Sequence, residues 1–324
     1  MEISGLKDFL RQDMLRVEAL IRQSLRSDIA LLDQTNGMML SQGGKRLRPM
    51  LALLVGGACG TVNEDTFRFA AAAELLHNAT LLHDDVVDGA TRRRGAPTVM
   101  SVLNGPASVL IGDFWLVKAM GTILGASRCS DRVIRIFSKT LSDLAEGELL
   151  QMQKASSADT TEGDYLRIIY AKTASLFEAS ALSAAISVDA PAETEAAVSA
   201  YARNLGIAFQ IRDDMFDYTD GDGIGKPVGI DLLEQKITQP LLCALESTPE
   251  EAAAIREKVA HMQENPALAE EIRCFVKEQD GLAKAAEKLD FYVKEAISCL
   301  EGVPSSEEKS YLAKLARYVG ERTI

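Results

Sequence analysis

Two short stretches carry the most chemically loaded residues of the chain, "DDVVD" at 84–88 and "DDMFD" at 213–217. On a helix, positions i and i+4 share a face, so Asp84 aligns with Asp88 and Asp213 with Asp217. Such like-charged pairs are unfavourable by ~0.2–0.5 kcal/mol each, and at the C-terminal ends of helices the macrodipole adds to the cost. A single copy would read as a solvated helix end. Two copies, each behind an apolar stretch ("ATLL" and "LGIAFQI"), read better as carboxylates at the rim of a cavity. Hard carboxylate oxygens without Cys or His ligands suit Mg2+, which keeps several waters and is commonly shared with substrate phosphates. His83, beside Asp84, is expected to pack or hydrogen-bond and not to bind metal.

Positive charge is concentrated in the same way. "GGKRLRP" supplies Lys45, Arg46 and Arg48, "TRRRG" supplies Arg92, Arg93 and Arg94, and Lys172, Lys226 and Lys236 stand near loops or helix turns. With Lys+Arg 35 against Asp+Glu 47 the net charge is -12, so these clusters are local exceptions and no general attraction to nucleic acid or anionic lipid follows. Arg forks grip phosphate oxygens bidentately and Lys acts as a point charge. Salt bridges to the aspartates are one reading of these cations. A substrate diphosphate, bridged by Mg2+ to the aspartates and held by Arg and Lys, accounts for both signs together. Other phosphate devices fit poorly: "GDGIGKP" has Pro227 where a P-loop needs Ser or Thr, and neither a nucleophile elbow nor a dinucleotide fingerprint occurs.

The elements that must position these groups read as helices almost throughout. "FRFAAAAELLHNATLLHDDVVD", "SLFEASALSAAISV", "AAAIREKVAHM" and "YLAKLARYV" repeat apolar residues at three and four, and no convincing strand alternation is found. Breaks fall at "SQGGKRLRP", "DGATRRRGAPT", "NGP", "SSADTTEGD" and "DGDGIGKPVG", none long enough for an interdomain linker. The expectation is one all-α domain over 1–324, with about ten or more helices. Thr248 with Glu251, and Ser305 with Glu308, are expected to form capping boxes. Five scattered cysteines without CxxC spacing suggest neither a disulfide framework nor a zinc site. The charged N-terminus lacks a signal-peptide core and no apolar run reaches bilayer-spanning length, so a cytoplasmic location is expected.

Taken together, the motifs resemble those of the all-trans polyprenyl diphosphate synthases, the head-to-tail isoprenyl synthase family. "GGKRLRP", "ELLHNATLLHDDVVD", "RRRGAPT", "ASVLIGDFWL", "AEGELLQM", "AKTASLF", "FQIRDDMFD", "GKPVGIDLLEQKITQPL" and "YLAKLARYVGER" occur in the family's order over most of the chain. The resemblance implies an antiparallel helical bundle of the isoprenoid synthase type with a central cavity. It also implies that an allylic diphosphate such as farnesyl diphosphate is ionised with Mg2+ and attacked by isopentenyl diphosphate. By the same resemblance Asp84, Asp85, Asp88, Asp213, Asp214 and Asp217 match the two aspartate-rich motifs, with Asp84, Asp85, Asp88, Asp213 and Asp217 as metal ligands. Arg93, Lys172, Lys226 and Lys236 match cationic contacts to the allylic diphosphate, and Thr173 and Gln210 match polar groups near the developing cation. Lys45, Arg48, His77 and Arg94 match the isopentenyl diphosphate site, while Arg46 and Arg92 balance charge. The chain departs from the pattern at Gln235, where the family usually has glycine before the second lysine.

Product length is expected from the positions four and five before the first aspartate, where short-chain members usually carry a large aromatic residue. Here they are Thr80 and Ala79, and "ELLHNATLL" contains no aromatic, so medium or long all-trans products are implied, the alternatives being a floor of Leu, Met or Phe from another helix and simple helix packing for Ala79. The overall similarity is to octaprenyl-type synthases of quinone side chains. The family resemblance also implies a homodimer, and a long apolar product implies transient membrane contact. Two competing readings are a class I terpene cyclase, which would not need the "GGKRLRP" and "RRRG" clusters, and a non-catalytic subunit, which should have lost its aspartates.

Overall fold

The computed structural model describes residues 4–93, 95–219 and 229–322. Helices α1 (Ser4–Phe9), α2 (Arg11–Ser24), α3 (Ala30–Ser41) and α4 (Leu47–Cys59) lead into the long α5 (Glu64–Val87). A hairpin of two-residue strands, β1 (Arg92–Arg93) and β2 (Ala96–Pro97), precedes α6 (Val99–Val102), α7 (Gly105–Leu124) and α8 (Ser130–Ser157). Then α9 (Glu162–Ile169) runs through a π turn (Tyr170–Ala174) into α10 (Ser175–Ser187) and on to α11 (Ala192–Phe216). Beyond lie α12 (Ile230–Leu233), α13 (Gln239–Ser247), α14 (Ala252–Ala260), α15 (Leu268–Glu278), α16 (Gly281–Cys299) and α17 (Glu307–Glu321). The architecture is all-α, as the sequence implied.

Helix α5 is the axis of the packing. Its 24 residues span about 36 Å, and α7, α4, α10 and α2 lie against it. Ala70, Ala71, Ala72 and Ala73 are all fully buried, and such small side chains let neighbouring helices close in from several sides. That explains why this helix lacks the one-sided apolar stripe of a surface helix. Its first turn is pinned: Asn63 Oδ1 accepts from the Asp65 and Thr66 amides at 3.0 and 3.1 Å, and Asn63 Nδ2 donates to the Ser187 carbonyl at 2.8 Å. Asp65 accepts from the Ser127 and Arg128 amides at 2.9 and 3.0 Å. With one end fixed to α10 and to the α7–α8 connection, the other end presents Asp84, Asp85 and Asp88 at a set height.

Helix α10 packs against α4, α5, α8 and α11 and so joins the two aspartate-bearing helices. Immediately before it, the π turn is wedged between two glycines. A Cβ on Gly147 of α8 would come within 2.6 Å of Ala171 Cβ, and one on Gly206 of α11 within 2.5 Å of Ala174 Cα. Close approach on both sides fixes the turn that carries Lys172 and Thr173, and single π turns of this kind recur at functional sites.

Several local expectations are corrected. The loop at 91–98 holds a short antiparallel ladder, Arg92 opposite Pro97 and Arg93 opposite Ala96, closed by Gly95 at φ +79°. Helix α14 starts at Ala252 without a side-chain cap; Thr248 Oγ1 instead donates back to the Ala244 carbonyl at 3.2 Å, so its capping box does not form. Ser306, not Ser305, caps α17, accepting from the Lys309 amide at 3.0 Å. Helix α7, with 20 residues, is long and apolar enough to cross a membrane by length and composition, contrary to the expectation that no stretch reaches that length. Asp113 and Lys118 interrupt its apolar run in the sequence, and the helix packs lengthwise on α5.

Gly206→Ala is expected to destabilise the protein by about 1–3 kcal/mol, because its methyl must displace the backbone of the π turn. Denaturant titration checks this, and a wild-type midpoint would show that the turn yields freely.

Candidate active site

The last turn of α5 divides its three aspartates between two tasks. Asp84 is half-buried, and burial pushes its pKa up to about 6, opposed by Lys172 and Arg93 and reinforced by Glu148 and Asp88. Asp88, exposed at the helix end, is also raised by burial, with Lys236 and Lys172 pulling it back. Asp85 is 3% exposed and receives Arg93 Nε at 2.7 Å, so the β1 strand is tied directly to α5. Burial outweighs that arginine and leaves the Asp85 pKa raised.

At the end of α11 each aspartate has a different partner. Asp213 Oδ1 accepts from Arg322 Nη2 at 2.6 Å, and the guanidinium lies 4.0 Å from the Phe209 ring centroid. Asp214 is buried, with Tyr165 donating to Oδ2 at 2.7 Å and Gln210 Nε2 to Oδ1 at 2.8 Å. Burial, with Asp231 adding to it, raises its pKa well above the carboxylate range. Thr173 in turn donates to Gln210 Oε1 at 2.7 Å, so a continuous row runs from Thr173 through Gln210 and Asp214 to Tyr165. Asp217 accepts from the Gly229, Ile230 and Asp231 amides, each at 3.0 Å, and thereby clasps the start of α12.

Two lysines relate the clusters to one another. Lys172 pairs with Glu148, donates to Gln151 Oε1 at 3.0 Å, and acts electrostatically on Asp84, Asp88 and Asp231. Lys236 pairs with Glu234, lies 4.0 Å from Asp231 Oδ1 and acts on Asp88. Burial alone would lower the Lys236 pKa, but Asp231 and Glu234 outweigh it and hold it raised. Asp231 is itself pushed up to about 6 by burial and by Asp217. Lys172 and Lys236 are thus shared between the acidic end of α5 and Asp231 of α12, whose amide Asp217 holds.

The other expected residues occupy neighbouring elements. Lys45 precedes α4 and Arg48 sits in its first turn, with the Arg48 guanidinium 4.7 Å from the Phe177 ring centroid of α10. His77 is half-buried on α5, two turns before Asp84. Arg46 faces Glu18 at 3.5 Å, and Arg92 donates to the Gly95 carbonyl at 2.8 Å, roles in charge balance and loop closure. His83 hydrogen-bonds the Val109 carbonyl at 3.2 Å, as expected. Ala79 is fully buried, whereas Thr80 is half-buried and donates to the His77 carbonyl at 2.8 Å. Arg94 and Lys226 lie outside the described residues.

Among the described residues no three His, Cys, Asp or Glu side chains gather into a protein-only metal cage. Asp217 has both carboxylate oxygens on backbone amides, and Asp85 and Asp213 each have Oδ1 on an arginine, so Asp84, Asp88 and the second oxygens of Asp85 and Asp213 carry the remaining hard donors at the two helix ends. That donor set fits a divalent ion that shares its coordination with substrate oxygens and water. Sequence reasoning gave no role to Glu148, Gln151, Tyr165, Asp231, Glu234 or Arg322. Five of these lie inside motif stretches quoted above, and their spacing carried no sign of the cross-chain partners; Tyr165 lay outside every motif.

A helical scaffold that brings two acidic helix ends and several fixed cations together is the class of enzyme that ionises a diphosphate. Residues 29–275 match the family model described as polyprenyl synthetase. Octaprenyl diphosphate synthase of Escherichia coli (strain K12) is 38% identical over 331 residues, 99% of this chain and 99% of that protein. Heptaprenyl diphosphate synthase component 2 of Geobacillus stearothermophilus is 30% identical, with 99% of each covered. The crystal structure of a decaprenyl diphosphate synthase from Rhodobacter capsulatus matches with a TM-score of 0.93 at 34% identity, covering 99% of both chains. The chain belongs to the polyprenyl synthetase family, as its ordered motifs implied.

The raised Asp84 pKa has a consequence for stability. The unfolded carboxyl titrates near pH ~3.9, so between about pH 4 and about pH 6 the folded state holds the extra proton and stability falls as pH rises. In the metal-free protein Asp84→Asn is expected to gain stability relative to wild type as pH rises through that window. Denaturation midpoints in chelator across pH check it; a difference independent of pH would contradict the assignment.

Proposed function

We propose that the protein condenses isopentenyl diphosphate head-to-tail with an allylic diphosphate such as farnesyl diphosphate. The product is a medium- or long-chain all-trans polyprenyl diphosphate, destined for quinone side chains. The sharing of Lys172 and Lys236 between the acidic end of α5 and Asp231, whose amide Asp217 holds, carries this reading, and the full-length relatives named for heptaprenyl to decaprenyl products support it.

In this reading Asp84, Asp85, Asp88 and Asp213 hold Mg2+, with Asp217 beside them as the motif implies, and the ion when bound would offset the charge that builds on the departing diphosphate. Lys172, Lys236 and Arg93 hold that diphosphate on the allylic side, and Lys226 joins them as the motif implies. Lys45, Arg48, His77 and Arg94 hold isopentenyl diphosphate. Thr173 and Gln210, fixed by Asp214 and Tyr165, present oxygens near the developing allylic cation. Charge separation is most favourable where these groups are already oriented and water is excluded.

A homodimer is the proposed assembly. Leu110, Val117 and Leu124, seven residues apart on α7, are each more than half exposed and form one apolar stripe, of the kind that a second copy covers. A cytoplasmic location, with brief membrane contact for product release, completes the reading.

Incubation with farnesyl diphosphate, labelled isopentenyl diphosphate and Mg2+ is expected to give a prenol ladder ending at one long chain after dephosphorylation. No extension with several allylic primers would overturn the synthase reading. Asp84→Ala and Asp213→Ala are each expected to lower turnover by orders of magnitude while leaving the helical content intact. Phe in place of Ala79 or Thr80 is expected to shorten the product, and Ala79→Phe, in a fully buried position, to cost stability as well.

A further inference from the structure

Gln235 occupies a position that its backbone would reserve for glycine. The Gln235 amide donates to the Leu232 carbonyl at 2.9 Å and the Lys236 amide to the Asp231 carbonyl at 2.8 Å, the paired bonds of a Schellman motif closing α12. The residue in the left-handed conformation of that motif is Gln235 itself, at φ +59°. A side chain there is strained, and glycine is the common solution.

The side chain supplies a compensation that glycine lacks. Gln235 Nε2 donates to the Ala260 carbonyl at 2.6 Å and to the Val259 carbonyl at 3.2 Å, reaching the C-terminal end of α14, where helix carbonyls have no intrahelical partner. Helix α14 is itself anchored, because Arg256 donates to the Ala158 and Thr160 carbonyls, each at 2.9 Å, in the connection between α8 and α9. The turn preceding Lys236 is thus tied through one amide to a helix that is fastened to the body of the protein. The next residue, Lys236, is the cation that faces Asp231 and Asp88.

We propose that Gln235 is a positioning residue that clamps the Lys236 turn onto α14 and so presets the Lys236 ammonium for the allylic diphosphate. This rests on the assignment of Lys236 to the allylic site. The strained backbone and the amide tether act together: the left-handed turn aims the side chain at α14, and the tether keeps the turn from relaxing.

The test compares Gln235→Gly, Gln235→Leu, Lys236→Gln and the Gln235→Gly/Lys236→Gln double variant in steady-state kinetics with each substrate varied. Gln235→Gly relieves the backbone strain, so it is expected to fold with at least wild-type thermal stability. Its KM for the allylic diphosphate is expected to rise roughly three- to tenfold, the equivalent of one net hydrogen bond, with the KM for isopentenyl diphosphate unchanged. Gln235→Leu, which keeps bulk but loses the amide, is expected to show the same split between substrates. The double variant should be no worse than Lys236→Gln alone, since both changes act through one group. If Lys236→Gln impairs allylic binding while Gln235→Gly behaves as wild type, the clamp is wrong and the site assignment stands. If Lys236→Gln is itself without effect, the assignment of Lys236 fails and the clamp with it. Additive losses in the double variant would also overturn the clamp.

Discussion

Two long helices end in carboxylates, against the direction of their own dipoles, and the rest of the site exists to make that arrangement tolerable. Backbone carbonyls at the ends of α5 and α11 already carry partial negative charge, so adding Asp84, Asp88, Asp213 and Asp217 there compounds repulsion. Burial raises the pKa of Asp84, Asp85, Asp88, Asp214, Asp217 and Asp231 together. The compensating cations each come from a different element. Arg93 reaches in from the β hairpin, Lys172 from the π turn, Lys236 from beyond α12 and Arg322 from the end of α17. Repulsion of this kind is relieved by any further positive charge brought to the helix ends.

The packing serves that electrostatic arrangement. Alanines along α5 admit several helices around one axis, and glycines on α8 and α11 let the π turn approach without clearance. Interiors packed at this density deform little, so a cation carried on such a turn is placed by backbone geometry more than by its own flexible stem. The hydrogen-bonded row from Thr173 to Tyr165 works in the same way on the neutral groups, each member fixing the orientation of the next.

Helical class, the two aspartate clusters and the basic stretches were legible because each is a local pattern: period, spacing and charge are written in adjacent residues. The division of labour among the aspartates was not. Asp84 and Asp85 are neighbours in sequence but lie about 100° apart around the helix, so one faces Lys172 and the other Arg93. The motif that marked Asp217 carries no sign of its bonds to the amides of a segment a dozen residues later. Tyr165 and Arg322 escaped notice because their partners lie 49 and 109 positions away, and nothing in their immediate neighbours marks a long-range contact. The two capping expectations failed for a smaller reason: a helix start is decided within one or two residues, and Thr248 found a bond to the turn behind it.

The partner of Asp213 has an implication in time as well as in space. The ribosome delivers α11 well before α17, so the nascent chain passes through a period in which Asp213 has emerged and Arg322 has not. During that interval the acidic end of α11 lacks the cation that stacks on Phe209 and steadies it. The Asp213–Arg322 pair therefore forms only after α17 has been made, and a chain synthesised no further than α11 carries the acid group before it carries the cation that holds it.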